Sequence, residues 1–331
     1  MKPPLIILLP FRDAASTLAY AVESIQKQTF AGWELHLLND GSTDEGAEIA
    51  DVFADVDPRI RVSHLPPLGI VHALNYGIEH SKTEFLARMD ADDVCHPERF
   101  EKQLAALESR TEADLVSCQV EFGGDRDLHA GYARHVDWQN GLITHDQIFH
   151  HRFVDAPVAH PSVMFRRCGV KKFGGYREGD FPEDFEMWLR WMEAGARFVK
   201  VPETLLTWND PPNRLSRVDD RYSPEAFYRV KCEYLHHALP DHQPVWLWGA
   251  GRATRKRFEA LDRKNPFAGF VDIDPAKIGQ KLKERWVVRP EEIPEDAFVL
   301  LGVANTGVRE RAIEFMRERG KRIGRDFLPV A

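Results

Sequence analysis

Short apolar runs alternate with amphipathic stretches over the first hundred residues. "LIILLP", "WELHLLND", "RIRVSHL" and "EFLARMD" have the length and apolar density of buried strands. Between them lie "AASTLAYAVESIQKQ", with Leu18, Val22 and Ile25 at helical spacing, then "DEGAEIADVFAD", with Asp44 near its start, and "GIVHALNYGIEHS". Strand and helix in alternation predict a mostly parallel sheet with right-handed crossovers. Ligands of such sheets bind beyond the carboxyl ends of the strands. Asp40 and the run Asp90–Asp93 fall at two such ends.

After about residue 110 the pattern loosens. "DLVSCQVEF" reads as a strand, and residues 123–150 as a long loop with short helical pieces. "APVAHPSVMFRR" reads as a strand, "PEDFEMWLRWMEAG" as a helix with Pro182 at its first turn, and "RFVKVPETLLTW" as a strand again. A polar, Pro-rich break leads to a helix over 224–238. A second strand–turn–helix series then opens at "VWLWGAGRAT" and ends in a helix over about 307–319. The expected organisation is a larger α/β domain over 1–238, a linker at 239–244 and a small Rossmann-like α/β domain over 245–331.

Composition narrows the function. The chain has 331 residues and a formal net charge of −8, which speaks against a nucleic-acid binder held by phosphate contacts. Four cysteines, none in a C-x-x-C pair, read as free thiols of a reducing cytoplasm. The apolar run Leu5–Leu9 is too short for a signal peptide, and no stretch reaches the ~20 apolar residues of a membrane span.

Three segments carry candidate chemistry. "LLNDGSTDEG" is a turn signal after a strand, in which Asp40 could accept from a nucleobase edge. "RMDADD" sets three carboxylates in four positions; hard divalent cations take one or two such oxygens and share the rest with phosphate. In "FPEDFEMWLRW", Asp184 lies in a helix's first turn, where the dipole favours an ionised carboxylate able to act as a base. Each of these patterns also has an ordinary structural reading, as a turn, a solvated loop or an acidic helix start. Trp188 and Trp191 fit core positions or an acceptor-facing wall. "WGAGRAT" has Gly249 and Gly251, with Thr254 where a third small residue belongs and Asp272 about twenty residues on, much of a dinucleotide fingerprint.

Taken together, "LLPFRDAASTLAYAVESIQKQTF", "LLNDGSTDEG", "FLARMDADDVCHPERFEKQ", "HPSVMFRRCGVKKFGGYREGDFPEDFEMWLRW" and "PETLLTW" resemble, in order, bacterial family-2 inverting glycosyltransferases over residues 4–217. The resemblance implies a GT-A fold, a nucleotide-diphosphate-sugar donor and a divalent metal, Mn²⁺ or Mg²⁺. It implies Asp184 as general base and Asp92 as metal ligand. It places Pro10, Asp13, Asp40, Arg88 and Asp90 against the nucleotide sugar, and His160, Glu183 and Trp188 toward the acceptor. "TWNDPPNRLSR" departs from the family's Arg- and His-rich ending, with Trp208 and Asn209 where Tyr and Arg are common. No Q-x-x-R-W follows Asp184, which argues against a processive polymerase.

The expected activity is hexosyl transfer with inversion, UDP-sugar first among donors, to a glycan or lipid-linked hydroxyl in polysaccharide biosynthesis. The expected place is the cytoplasm, with peripheral association at the inner membrane face left open. Gly249, Gly251 and Asp272 mark a nucleotide-type ligand site or belong to a structural or partner-binding module. Two rival readings remain: a non-catalytic nucleotide-sugar scaffold or sensor, and an NAD-linked oxidoreductase working through the C-terminal fingerprint. Against the latter, "LLPFRDAAS" lacks the glycines a pyrophosphate needs.

Overall fold

The computed structural model describes residues 4–211, 214–305 and 307–331. It divides into two compact units. One comprises the chain up to Ile148 with Val158–Gly179 and Glu186–Asp219; the other comprises Phe149–Pro157, Asp180–Phe185 and Asp220–Ala331.

The first unit is built on eight strands: β1 Leu5–Phe11, β2 Trp33–Asp40, β3 Ile60–Leu65, β4 Phe85–Arg88, β5 Val94–Cys95, β6 Leu115–Phe122, β7 Met164–Arg166 and β8 Phe198–Trp208. Their order is β3-β2-β1-β4-β7-β6-β8-β5. The β3-β2-β1-β4 half is parallel. β7 runs antiparallel to both neighbours, and β5 antiparallel to β8. All seven residues of β1 are buried, as a strand covered on both faces requires. Helix Leu18–Gln26 turns Leu18, Ala21, Val22 and Ile25 inward, one stripe at the 3.6-residue period. This is the mostly parallel sheet flanked by helices that the alternating pattern predicts.

Two stretches differ from the sequence reading. Residues 123–150 hold two full helices, Ala130–Asn140 and His145–His151. The first buries only Ala133, Val136 and Gln139, so its apolar period is faint. The "APVAHPSVMFRR" strand shrinks to β7, because His160–Ser162 forms a 3₁₀ turn closed by Ser162 N–H to Ala159 O (3.0 Å).

The second unit carries a smaller sheet of β9 Val245–Trp248, β10 Gly269–Val271, β11 Lys281–Leu282, β12 Arg285–Val288, β13 Phe298–Leu301 and β14 Phe327–Pro329. The order is β11-β12-β10-β9-β13-β14, parallel except for the β11–β12 hairpin. That hairpin turns on Lys283 and Glu284, both with positive φ (50° and 62°), as a two-residue primed turn demands. Helix Pro224–His237, capped by Ser223 Oγ accepting from Ala226 N–H (3.3 Å), lies in this unit. No helix among the described residues is long and apolar enough to cross a membrane.

Candidate active site

The loops after β1 and β2 are latched to each other. Asp13 takes a left-handed backbone (φ 49°), unusual outside glycine. Its N–H donates to Ser42 Oγ (3.0 Å), and its Oδ1 accepts from Thr43 N–H (2.7 Å) and Thr43 Oγ1 (3.1 Å). The Thr43 N–H, more than any other group, pulls the Asp13 carboxyl below the usual range. Asp44 bridges back, accepting from Ala15 N–H at 2.8 Å. Gly41 has no alternative: its φ is 69°, and a Cβ there would sit 2.9 Å from Pro67. Pro10 is buried near the end of β1, beyond Leu8, the last residue paired with β4.

Asp40 does structural work in this rim. Its Oδ1 accepts from Leu68 and Gly69 N–H (both 3.0 Å), and its Oδ2 from Gly69 (3.1 Å). The carboxylate therefore fixes the turn that opens helix Ile70–Glu79 and keeps only part of its acceptor capacity for a ligand.

The acidic cluster lies past β4. Carboxylate oxygens of Asp90, Asp92 and Asp93 come within 4.8 Å of one another. Arg88, nearly fully buried, pairs with Asp90 Oδ2 at 2.5 Å; burial works against its charge, but Asp90 outweighs burial and holds the proton on. Beneath the loop, fully buried Arg99 donates to Arg88 O (2.9 Å), Pro161 O (2.6 Å) and Gln103 Oε1 (3.0 Å). These acceptors satisfy a buried cation and tie the end of β4 to the 3₁₀ turn.

From β8, Asn209 reaches across: its N–H donates to Asp93 Oδ1 (2.8 Å) and its Nδ2 to Asp92 O (2.6 Å). Asp93 Oδ2 is buried with no hydrogen-bond partner. Burial, then the charge of Asp90, lifts the Asp92 carboxyl to about 6 and Asp93 well above the carboxylate range. Arg214 and Arg88 pull the Asp92 value back only in part. Arg214 stacks on Trp208 (4.3 Å) and Tyr132 (5.0 Å). The fully buried carboxylate of Asp210 pairs with Arg217 (2.5 Å) and His129 (3.0 Å). The departing stretch "TWNDPPNRLSR" thus supplies Asn209 as a latch and Arg214 as a held cation; its Pro212 and Asn213 lie outside the described residues.

A buried carboxylate oxygen without a donor, beside two more carboxylates, is a poor resting place for three negative charges. It suits a hard divalent cation, whose preferred ligands are such oxygens. The residues present fit Mg²⁺ or Mn²⁺.

His160 Nε2 meets Tyr176 Oη at 2.8 Å, with the Trp188 ring edge-on at 5.9 Å between centroids. Burial, helped by Arg88, keeps the imidazole neutral far below its ordinary pKa. Asn75 fixes Tyr176 by a two-way backbone clasp (2.9 and 3.1 Å). Trp188 exposes none of its surface. In helix Glu183–Glu193 the two adjacent carboxylates part company. Glu183 is buried and accepts from Tyr222 Oη (2.7 Å), while Asp184 is half-buried, its Oδ1 2.7 Å from Phe185 N–H. Tyr176, Arg99 and Tyr222 had no signal of their own in the sequence, because their partners lie far off in the chain or carry no motif, and Asn209 stood out only as a departure from the family pattern.

In the second unit, Gly249 has φ 122°, and a Cβ there would lie 3.1 Å from Thr254. Asp272 Oδ2 accepts from Ala250 N–H (3.0 Å) and Lys277 Nζ (3.1 Å), and Oδ1 from Asp274 N–H (3.0 Å). Three of its roughly four lone-pair sites are filled from within. A Cβ at Gly251 would meet nothing within 4 Å.

The model of "Glycosyl transferase family 2" matches residues 6–173, half of the chain. The chain belongs to glycosyl transferase family 2. Among relatives of this family-2 chain, the amylovoran biosynthesis glycosyltransferase AmsE of Erwinia amylovora is 32% identical over 61% of this chain and 73% of its own. The putative glycosyltransferase EpsE of Bacillus subtilis is 28% identical over 72% and 86%. The solved structure of S. aureus TarS 1-349 in complex with UDP-GlcNAc superposes with a TM-score of 0.54 at 15% identity, covering 80% of this chain and 75% of that one. The mannosyltransferase PcManGT of Pyrobaculum calidifontis, in complex with GDP-Man and Mn²⁺, gives 0.54 at 16% over 79% and 68%. At these identities the two structures establish the shared GT-A fold.

Proposed function

We propose that this family-2 glycosyltransferase moves a sugar, with inversion, from a nucleotide-diphosphate donor to a hydroxyl of a glycan or lipid-linked acceptor. UDP-sugar is the first donor to test. The observation that carries this reading is the acidic cluster, with one buried oxygen unpartnered and two carboxyls raised. Support comes from the neighbours in complex with UDP-GlcNAc and with GDP-Man and Mn²⁺, and from relatives named for polysaccharide synthesis.

Asp92 and Asp93 would hold the cation, with Asp90 turned to Arg88. The bound cation supplies Lewis-acid neutralisation of the charge gathering on the departing diphosphate. Asp13 and Asp40 shape the loops that border the nucleotide. Asp184 takes the proton of the acceptor hydroxyl as it attacks, since a neutral sugar hydroxyl is a weak nucleophile. With one base and no covalent nucleophile, attack on the anomeric carbon is a single displacement.

The test is transfer and nucleotide release across UDP-, GDP-, TDP- and CMP-sugars with Mn²⁺ or Mg²⁺, nucleoside diphosphate from the first three and CMP from the last. Asp184→Asn should cut turnover by about 10²–10⁴-fold while donor-induced thermal stabilisation persists. Full turnover in that variant removes Asp184 from the role of base.

A further inference from the structure

The residues that begin helix Glu183–Glu193 group with the second unit: Asp180–Phe185 cluster there, together with everything from Asp220 onward. Two contacts within that unit account for it. Tyr222 donates its phenolic O–H to Glu183 Oε2 at 2.7 Å, and the Phe185 and Phe227 rings lie 5.3 Å apart. Tyr222 stays a donor at any working pH, because burial and then the charge of Glu183 push its pKa up. Phe227 sits on helix Pro224–His237, which is itself anchored. Its Tyr228 packs edge-on against Phe258 (5.3 Å), and its buried Lys231 Nζ donates to Val154 O (2.9 Å) and Val330 O (3.1 Å). Val330 directly follows the last strand of the small sheet. A continuous set of contacts therefore runs from that sheet through one helix to the residues flanking Asp184.

We propose that Tyr222 is the positioning residue of Asp184: its hydrogen bond to Glu183 fixes the first turn of the helix, so that the second unit holds the base in place. The division of labour between the two carboxylates follows. Glu183 accepts from Tyr222, and its neighbour Asp184 is the base of the proposed reaction. The C-terminal module is then part of the catalytic apparatus, whether or not it binds a ligand of its own. This inference rests on Asp184 being the base.

The test uses the full chain with the sugar donor and Mn²⁺. Tyr222→Phe keeps the ring and removes the donor, so kcat should fall by about 10–100-fold, the scale of a misplacement near 1 Å. The donor KM should stay within about twofold, because the interaction lost acts only on the transition state. Glu183→Ala should give at least that fall, and the double variant should be no worse than Glu183→Ala alone, since both variants remove the same hydrogen bond. Glu183→Gln keeps an acceptor oxygen and should restore most of the rate. Wild-type kcat in Tyr222→Phe, a matching rise in donor KM, or additive losses in the double variant would each overturn the proposal. Asp184→Asn separates the two readings. If it stays active, the base assignment fails. If it is inactive while Tyr222→Phe is unimpaired, the base stands and the positioning role falls.

Discussion

Two rims of parallel strand ends in this molecule look alike in sequence and differ in chemistry. Each has a tight glycine turn and an aspartate after an apolar strand. Past β4, Asp93 keeps a buried oxygen that no hydrogen bond satisfies, and burial with the charge of Asp90 raises the proton affinities of Asp92 and Asp93. Past β10, Asp272 gives its oxygens to Ala250, Asp274 and Lys277 and holds its own loop shut. A carboxylate becomes a candidate for ligand chemistry when the fold leaves it unpaid; one that the fold has already satisfied is a brace. Asp40 stands between the two cases, largely engaged by the 68–69 turn yet set at the end of β2, beside the latched loops after β1 and β2.

Disabling each rim in turn would break the comparison if it is wrong. Asp92→Asn should lower transfer by about 10²–10³-fold, the scale of losing one electrostatic stabiliser of the departing charge. It should also abolish the rise in melting temperature that Mn²⁺ gives, read by thermal shift. Acidity should act next. Asp92, with its pKa near 6, must lose its proton to bind a cation, so the stabilisation by Mn²⁺ should shrink as pH falls from 7.5 through 6. At 100 times the dissociation constant that stabilisation is about 2.7 kcal/mol. In metal-free protein the sign reverses. A carboxyl whose folded pKa is raised favours the fold below its unfolded pKa, and that contribution is lost as pH rises through about 6. Asp93→Asn, measured metal-free at pH 8, removes a buried carboxyl set against Asp90 and Asp92 and should raise the melting temperature by about 2–4 °C, on the order of 1 kcal/mol. Asp272→Asn should have the smallest effect. It loses the Lys277 ion pair and should cost about 0.5–1 kcal/mol in urea unfolding. NAD should stabilise neither the parent nor this variant; a clear NAD-induced shift in the parent would reopen the second rim as a ligand site.

Much of the first rim was legible in the sequence. β1, β2 and β4 are short apolar runs, and a buried parallel strand tolerates little else; the carboxylates at their ends follow directly in the chain. The family's five segments, in order, carried the fold. The supports were not legible. Asn209 meets Asp92 and Asp93 across more than a hundred residues, and no spacing rule encodes that approach. Arg99 is fully buried, its charge met by three carbonyl or amide oxygens that no spacing rule brings together. Helix Ala130–Asn140 hid because its inward face includes Gln139. In the C-terminal module the glycine fingerprint was visible. That Asp272 is turned inward became visible only with the loop closed over it.

The second unit is threaded from three separate stretches, two of them, Phe149–Pro157 and Asp180–Phe185, far upstream of the rest. During synthesis these stretches are made before Tyr222, Phe227 and Lys231 exist to receive them. The peptide around Asp184 must therefore wait, unanchored, until the last third of the chain has emerged. Nascent chains stalled before that point would expose apolar Phe153 and Phe185, both buried in the finished protein, and would be clients for chaperones.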